Sequence, residues 1–213
     1  MKLKKIEWLA LLMTVLLLVA ATVVVGSVMY REFQTTAAVA PPAANETTAA
    51  QTTARQAYPA AEAAARRWRE DAYLTGASAV WRQPTEAGLQ NGKTDWVFSF
   101  YSPSAGKEYL VSVSGHTLHT SLIREVGRAP APLAPAQWQV DSTQALRDFL
   151  DHSGRRFLRL NPQANVHLQL AVSAQGKAEW RITALSAPDR PTLLYFVDAN
   201  GTGGETRIAA SNP

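Results

Sequence analysis

The 213-residue chain contains no cysteine, and that absence alone removes several function classes. A disulfide framework, a thiolate zinc site, an iron–sulfur cluster and a cysteine nucleophile are all excluded. The redox compartment stays open, because a cysteine-free chain suits either environment. Charge is scarce too: Asp, Glu, Lys and Arg make up 18% of the chain, against roughly 25% in soluble domains. That shortfall points to part of the chain lying outside water. The formal charge of +4 is also unevenly placed, since Lys2, Lys4 and Lys5 against Glu7 supply half of it. The remainder is too small for the basic stripe that nucleic acid requires. Arg66-Arg67 and Arg155-Arg156 are interleaved with Glu70, Asp71, Asp148 and Asp151, the pattern of solvated helix faces. No nucleic acid is expected as a partner.

One long apolar run is present. Residues 8–30, from Trp8 to Tyr30, hold no Asp, Glu, Lys, Arg or His. A helix of that length reaches about 35 Å, enough for a ~30 Å hydrocarbon core. Lysines precede it, and Trp8 and Tyr30 mark its two ends. The run therefore reads as a single-pass signal anchor with residues 1–7 in the cytoplasm and the rest extracytoplasmic. Val19-Ala20-Ala21 offers a peptidase site, but a cleaved signal has an apolar region of only ~7–15 residues, so the anchor reading is preferred. Residues 31–57 turn to Ala, Thr, Gln and Pro, too poor in large apolar side chains to bury a core, and read as a linker. Asn45-Glu46-Thr47 and Asn200-Gly201-Thr202 match the glycosylation triplet, a short pattern that matters only in a host that glycosylates.

From Tyr58 onward the periodicity changes to that of a folded domain. Ala61, Ala64, Ala65, Trp68 and Ala72 form one helical stripe, which Gly76 is expected to end. Ala77–Trp81 reads as a short strand. Trp96, Phe98 and Phe100, then Tyr109, Val111 and Val113, alternate around the turn Ser102–Gly106 and predict a hairpin. After a Pro-rich connector, residues 126–140, the order repeats. Asp141 caps a helix with Gln144 three residues on, Gly154 is expected to end it, and Ala145, Leu146, Phe149 and Leu150 face inward. Strands follow around Val166–Val172, Trp180–Ile182 and Leu194–Val197. The fold class is α+β: a helix-on-antiparallel-sheet domain in two tandem helix–β–β–β halves, 58–125 and 141–213. Asp95–Phe98 answers Glu179–Ile182 at 84 residues, and Tyr109–Gly115 answers Tyr195–Gly201 at 86.

The second half resembles a PepSY-like module. The residues that carry the resemblance are Asp141–Leu146 opening the helix, Ala178–Ile182 in the middle strand, and Phe196-Val197-Asp198-Ala199 before a Gly turn and Glu205. The closing loop runs two glycines longer than the pattern of that family. The resemblance implies a small extracytoplasmic domain, often tethered to membranes or fused to peptidases, for which modulation of peptidases or other envelope proteins has been proposed and catalysis is not known.

Sharper chemistry finds little support. Asp198, Asn200, Thr202 and Glu205 put oxygen ligands in one loop, but an EF-hand needs an acid at its twelfth position, where Ala209 stands. A hairpin turn explains the same residues. Gly88–Thr94 is one residue short of a phosphate loop and runs into a strand rather than a helix. His116 and His119 point to opposite faces of an extended segment, while His152 closes a helix and His167 faces outward, so no metal centre is expected. Trp68, Trp81, Trp96 and Trp180 sit on expected core stripes, leaving Trp138 in the connector as the possible partner-facing residue, with packing of the connector onto the sheet the favoured alternative for it. The expectation is a binding or regulatory module without catalysis or cofactor, its partners the lipid bilayer through residues 8–30 and an envelope protein or peptidase. The alternatives are an envelope enzyme with a hydrolase-like site between the halves and a purely structural spacer.

Overall fold

The computed structural model describes residues 52–115, 117–186, 192–201 and 204–206. The anchor expected over 8–30, the cytoplasmic residues 1–7 and nearly all of the expected linker lie outside these residues. No helix among the described residues is long and apolar enough to cross a membrane.

The described chain is α+β. Helix α1 (Ala54–Trp68) leads into β1 (Tyr73–Trp81), the short α2 (Glu86–Gln90), β2 (Trp96–Ser102), β3 (Lys107–Ser114) and β4 (Thr117–Glu125). The connector docks through a 3₁₀ turn, Pro135–Gln137. Then come α3 (Ser142–Phe149), a π-helical turn (Leu150–Gly154), α4 (Arg155–Leu160), β5 (Asn165–Val172), β6 (Ala178–Leu185), β7 (Thr192–Asp198) and β8 (Gly204–Thr206). All eight strands form one antiparallel sheet in the order β4-β3-β2-β1-β5-β6-β7-β8.

The two halves thus share a sheet, joined where β1 pairs with β5. The seam is centred on Ser78↔Gln169, and the flanking pairs Ala77↔Leu170 and Ala79↔Leu168 exchange under a pseudo-two-fold. The hairpins correspond residue for residue. Trp96↔Val113 and Phe98↔Val111 in one half match Trp180↔Val197 and Ile182↔Tyr195 in the other, always 84 residues apart. The offset of 86 read from sequence for β3 against β7 is therefore corrected by two residues, a slip that keeps every side chain on its face and so leaves no trace in the hydrophobic pattern. One buried bond recurs as well. The indole of Trp96 donates to the Thr52 carbonyl (2.9 Å) and that of Trp180 to the Val140 carbonyl (2.8 Å). Each acceptor immediately precedes the N-cap of its helix, Thr53 or Asp141.

Several boundaries differ from those expected. Helix α1 starts at Ala54, inside the expected linker, because Thr53 and Gln56 form a capping box. It ends at Trp68, not at Gly76. Gly76 lies in β1 beside a bulge, where a Cβ would come 2.7 Å from the Leu170 carbonyl oxygen, so the seam requires a glycine there. Gly154 does not end the second helix either. A Cβ at Gly154 would sit 2.3 Å from the Phe149 ring, and the helical path continues to Leu160. Strands β4 and β8 are additions to the expected three strands per half.

The helices lie on one side of the sheet. Ala57, Ala61, Ala64, Ala145, Leu146 and Phe149 join Trp96, Phe98, Val111, Leu168, Leu170, Trp180 and Tyr195 in one buried cluster. The helix N-termini meet, which sets two partial positive charges side by side. Asp141 sits between them, its Oδ1 accepting from Ser142 N (2.7 Å) and Arg55 N (3.1 Å). Ser142 Oγ accepts from Ala54 N (3.2 Å) and donates to the Gly92 carbonyl (3.1 Å).

Candidate binding face

Because β1, β2, β5, β6 and β7 alternate, burying one face leaves the other towards solvent. That outer face carries Val97 and Val80 at 38% and 46% exposure, with Leu194 and Phe196 half-buried beside them. The ladder sets these residues in rows. One row runs Val97, Ser78, Gln169, Arg181, Phe196 and another Val80, His167, Thr183, Leu194. The Arg181 guanidinium lies 5.6 Å from the Phe196 ring centroid, so cation and ring are held together in the open. Burial lowers the His167 pKa from its ordinary value. The face combines exposed aliphatic residues with a cation and a neutral imidazole, which suits recognition of a protein surface.

Trp138, the possible partner-facing residue, packs inside the described fold. It is 2% exposed, with its ring edge-on to Tyr58 (5.8 Å) and Trp180 (6.0 Å). The connector packs onto the domain through it and through Leu133 and Val140, both buried. Sequence flagged Trp138 because it stands among prolines; a connector that folds back buries such a ring for the same area it would offer a partner. Beside it, Arg55, Tyr58, Pro135 and Trp138 line a cleft of about 230 Å³. Burial, with Glu62 nearby, pushes the Tyr58 hydroxyl up to about 12, so it stays protonated at neutral pH.

Several other titratable groups are drawn into structural contacts. Tyr195 donates to Asp148 Oδ2 (2.8 Å) and is stacked by the His152 ring at 5.8 Å. Burial and then this bond raise the Tyr195 pKa, which holds the proton on the phenol. Asp71 accepts from Ser102 Oγ and Ser104 N, both at 2.7 Å, and these bonds lower its pKa. Asp198 accepts from Asn200 N (2.7 Å), a local turn contact, and Thr202 lies outside the described residues. His119 is on β4, His152 in the π-helical turn and His167 on the outer face, while His116 lies outside the described residues. No group of three or more His, Asp or Glu suited to a metal occurs among the described residues. Tyr58, Arg181 and Phe196 were not read as site residues from sequence, where the latter two figure only in strand motifs. The alternation that buries Trp180, Ile182, Tyr195 and Val197 was the available signal for the latter two.

No protein-family profile matches the chain, and no curated protein matches it in sequence. Among solved structures, it is similar to a candidate lipoprotein from Clostridium difficile 630 at 14% identity and a TM-score of 0.48, covering 76% of this chain and 100% of that one.

Proposed function

We propose that the protein is a membrane-tethered, extracytoplasmic binding module of PepSY-like type that acts on an envelope protein or peptidase without catalysis. The observation that carries this reading is a sheet face uncovered among the described residues, where Val80, Val97, Leu194 and Phe196 stand exposed or half-exposed around Arg181 and His167. Two helix-on-sheet halves paired about a pseudo-two-fold, each with its Trp-to-carbonyl bond, support the PepSY-like reading of the halves. Residues 8–30 supply the tether and residues 31–51 the reach. The test is affinity capture of the full chain from native membranes, with Val97→Arg and Leu194→Arg in parallel. The same envelope protein should come down with the wild type and fall at least tenfold with the variants. A turnover activity in the pure chain, or capture indifferent to both substitutions, would count against it.

A further inference from the structure

Leu160, which ends α4, is the most exposed large apolar side chain among the described residues, at 70%. It shares one helical face with Arg156 and Arg159, at spacings i, i+3 and i+4, while Phe157 and Leu158 pack against the core. Neither of these arginines has an ion pair among the described residues. Arg155, by contrast, reaches both Glu86 (2.7 Å) and Asp151 (3.3 Å).

The strand pairings put this face at one end of the sheet. After Leu160 the chain turns into β5 at Asn165, where β1 has just finished at Trp81 and β6 finishes at Leu185. Gln83 N donates to Asn165 Oδ1 (3.2 Å), which fastens the turn carrying Arg82 to the same end. β2 begins and β3 finishes there too. The described chain also enters here. Thr52 bridges Thr94, just ahead of β2, and its Oγ1 donates to the Gly115 carbonyl (3.1 Å), just past β3. Arg82 and Lys93 are exposed at this end and have no ion pair among the described residues. Glu86 and Asp151 are taken up by Arg155, so Asp95 stands against four unpaired cations.

We propose that this end of the domain rests on an anionic bilayer surface, with Arg82, Lys93, Arg156 and Arg159 among the headgroup phosphates and Leu160 at the acyl boundary. The inference rests on reading residues 8–30 as the tether. The intervening residues 31–51 span at most ~70 Å, so the surface is always near and a weak contact suffices to orient the domain. Arginine suits the role, because its stem lies along apolar lipid while the guanidinium stays with phosphate. With this end down, the strands stand up from the membrane. The face carrying Val97 and Phe196 then looks sideways along the bilayer.

The absence of native cysteine permits a single reporter. The full chain carrying Leu160→Cys, coupled to a fluorophore that spin-labelled lipid quenches, is placed in nanodiscs of phosphatidylcholine, alone or with roughly one-third phosphatidylglycerol. Quenching should be about threefold or more stronger in the anionic discs. It should fall back when Arg156→Glu and Arg159→Glu are added, and at ~1 M salt, where screening is nearly complete. A reporter at Gln175→Cys, in the exposed turn between β5 and β6 at the opposite end, should stay unquenched in both. Equal quenching of Leu160→Cys in the two lipids, or equal response at Gln175→Cys, overturns the inference. Alkaline extraction of the full chain from vesicles reads the tether separately. A retained chain whose Leu160→Cys reporter ignores the lipid defeats the surface contact alone; a released chain that still responds defeats the tether alone.

Discussion

Replacing Trp180 by Phe isolates one bond that the duplicated halves share but do not value equally. Both Trp96 and Trp180 are fully buried, so shortening either ring leaves a similar cavity. Their acceptors differ. The Thr52 carbonyl also receives Thr94 N at 3.2 Å, so Trp96→Phe leaves it satisfied. The Val140 carbonyl has no second donor among the described residues, so Trp180→Phe strands a buried acceptor at a cost of about 1–3 kcal/mol. Trp180→Phe should therefore be the more destabilising substitution by about 1–2 kcal/mol. Urea unfolding of the full chain in detergent, followed by near-ultraviolet circular dichroism, gives both midpoints and slopes. A difference of this size corresponds to roughly 2–8 °C in Tm for a domain of this length. Equal loss in the two variants, or a greater loss in Trp96→Phe, would refute the reasoning that the unshared carbonyl decides.

Asp141→Ala removes the acceptor for amides of two helices and should cost about 2 kcal/mol, more than the ~1 kcal/mol of an ordinary cap; Asp141→Asn should recover part of it in the same unfolding assay. Gly76→Ala forces a Cβ against the Leu170 carbonyl and should destabilise by about 2–3 kcal/mol, read as a lowered Tm, whereas Gly106→Ala meets no atom within 4 Å and should lose only what its positive φ costs, about 1 kcal/mol. The lowered His167 pKa means that the unfolded chain binds more protons than the fold just below the ordinary imidazole value. Stability should therefore fall as pH drops below about 6.5, and His167→Gln should flatten that slope. For Asp71 the lowered pKa contributes stability above the ordinary carboxylate value that is lost as pH falls through the folded value, and Asp71→Asn should remove this dependence.

The core was legible because alternation and helical stripes name inward residues directly: Trp96, Phe98, Leu168, Leu170, Trp180 and Val197 are all buried as their pattern requires. The N-cap at Asp141 and the Ser102–Gly106 turn were equally plain, since local chemistry sets them. Less legible were Gly76 and Gly154, read as helix ends because glycine favours such ends. Their actual reasons, the Leu170 carbonyl and the Phe149 ring, are tertiary and leave no local mark. β4 escaped because Thr117–Glu125 alternates little: as an edge strand it is exposed on both faces. Trp138 shows the same limit, since proline neighbours suggest an open connector while its burial depends on where that connector lands. The binding face itself follows from the alternation, but its rows required the strand order, which sequence left open at the β1–β5 seam.

Side-chain footprinting of the full chain bears on the central claim most directly. Hydroxyl-radical labelling would compare the protein in its native membranes with the protein reconstituted alone at matched density. The account predicts that labelling of Val80, Val97, Leu194 and Phe196 falls several-fold in native membranes, while Leu160 on the exposed end of α4 stays unchanged. Equal labelling of the sheet face in both settings, or protection confined to the Arg55–Trp138 cleft, would contradict it.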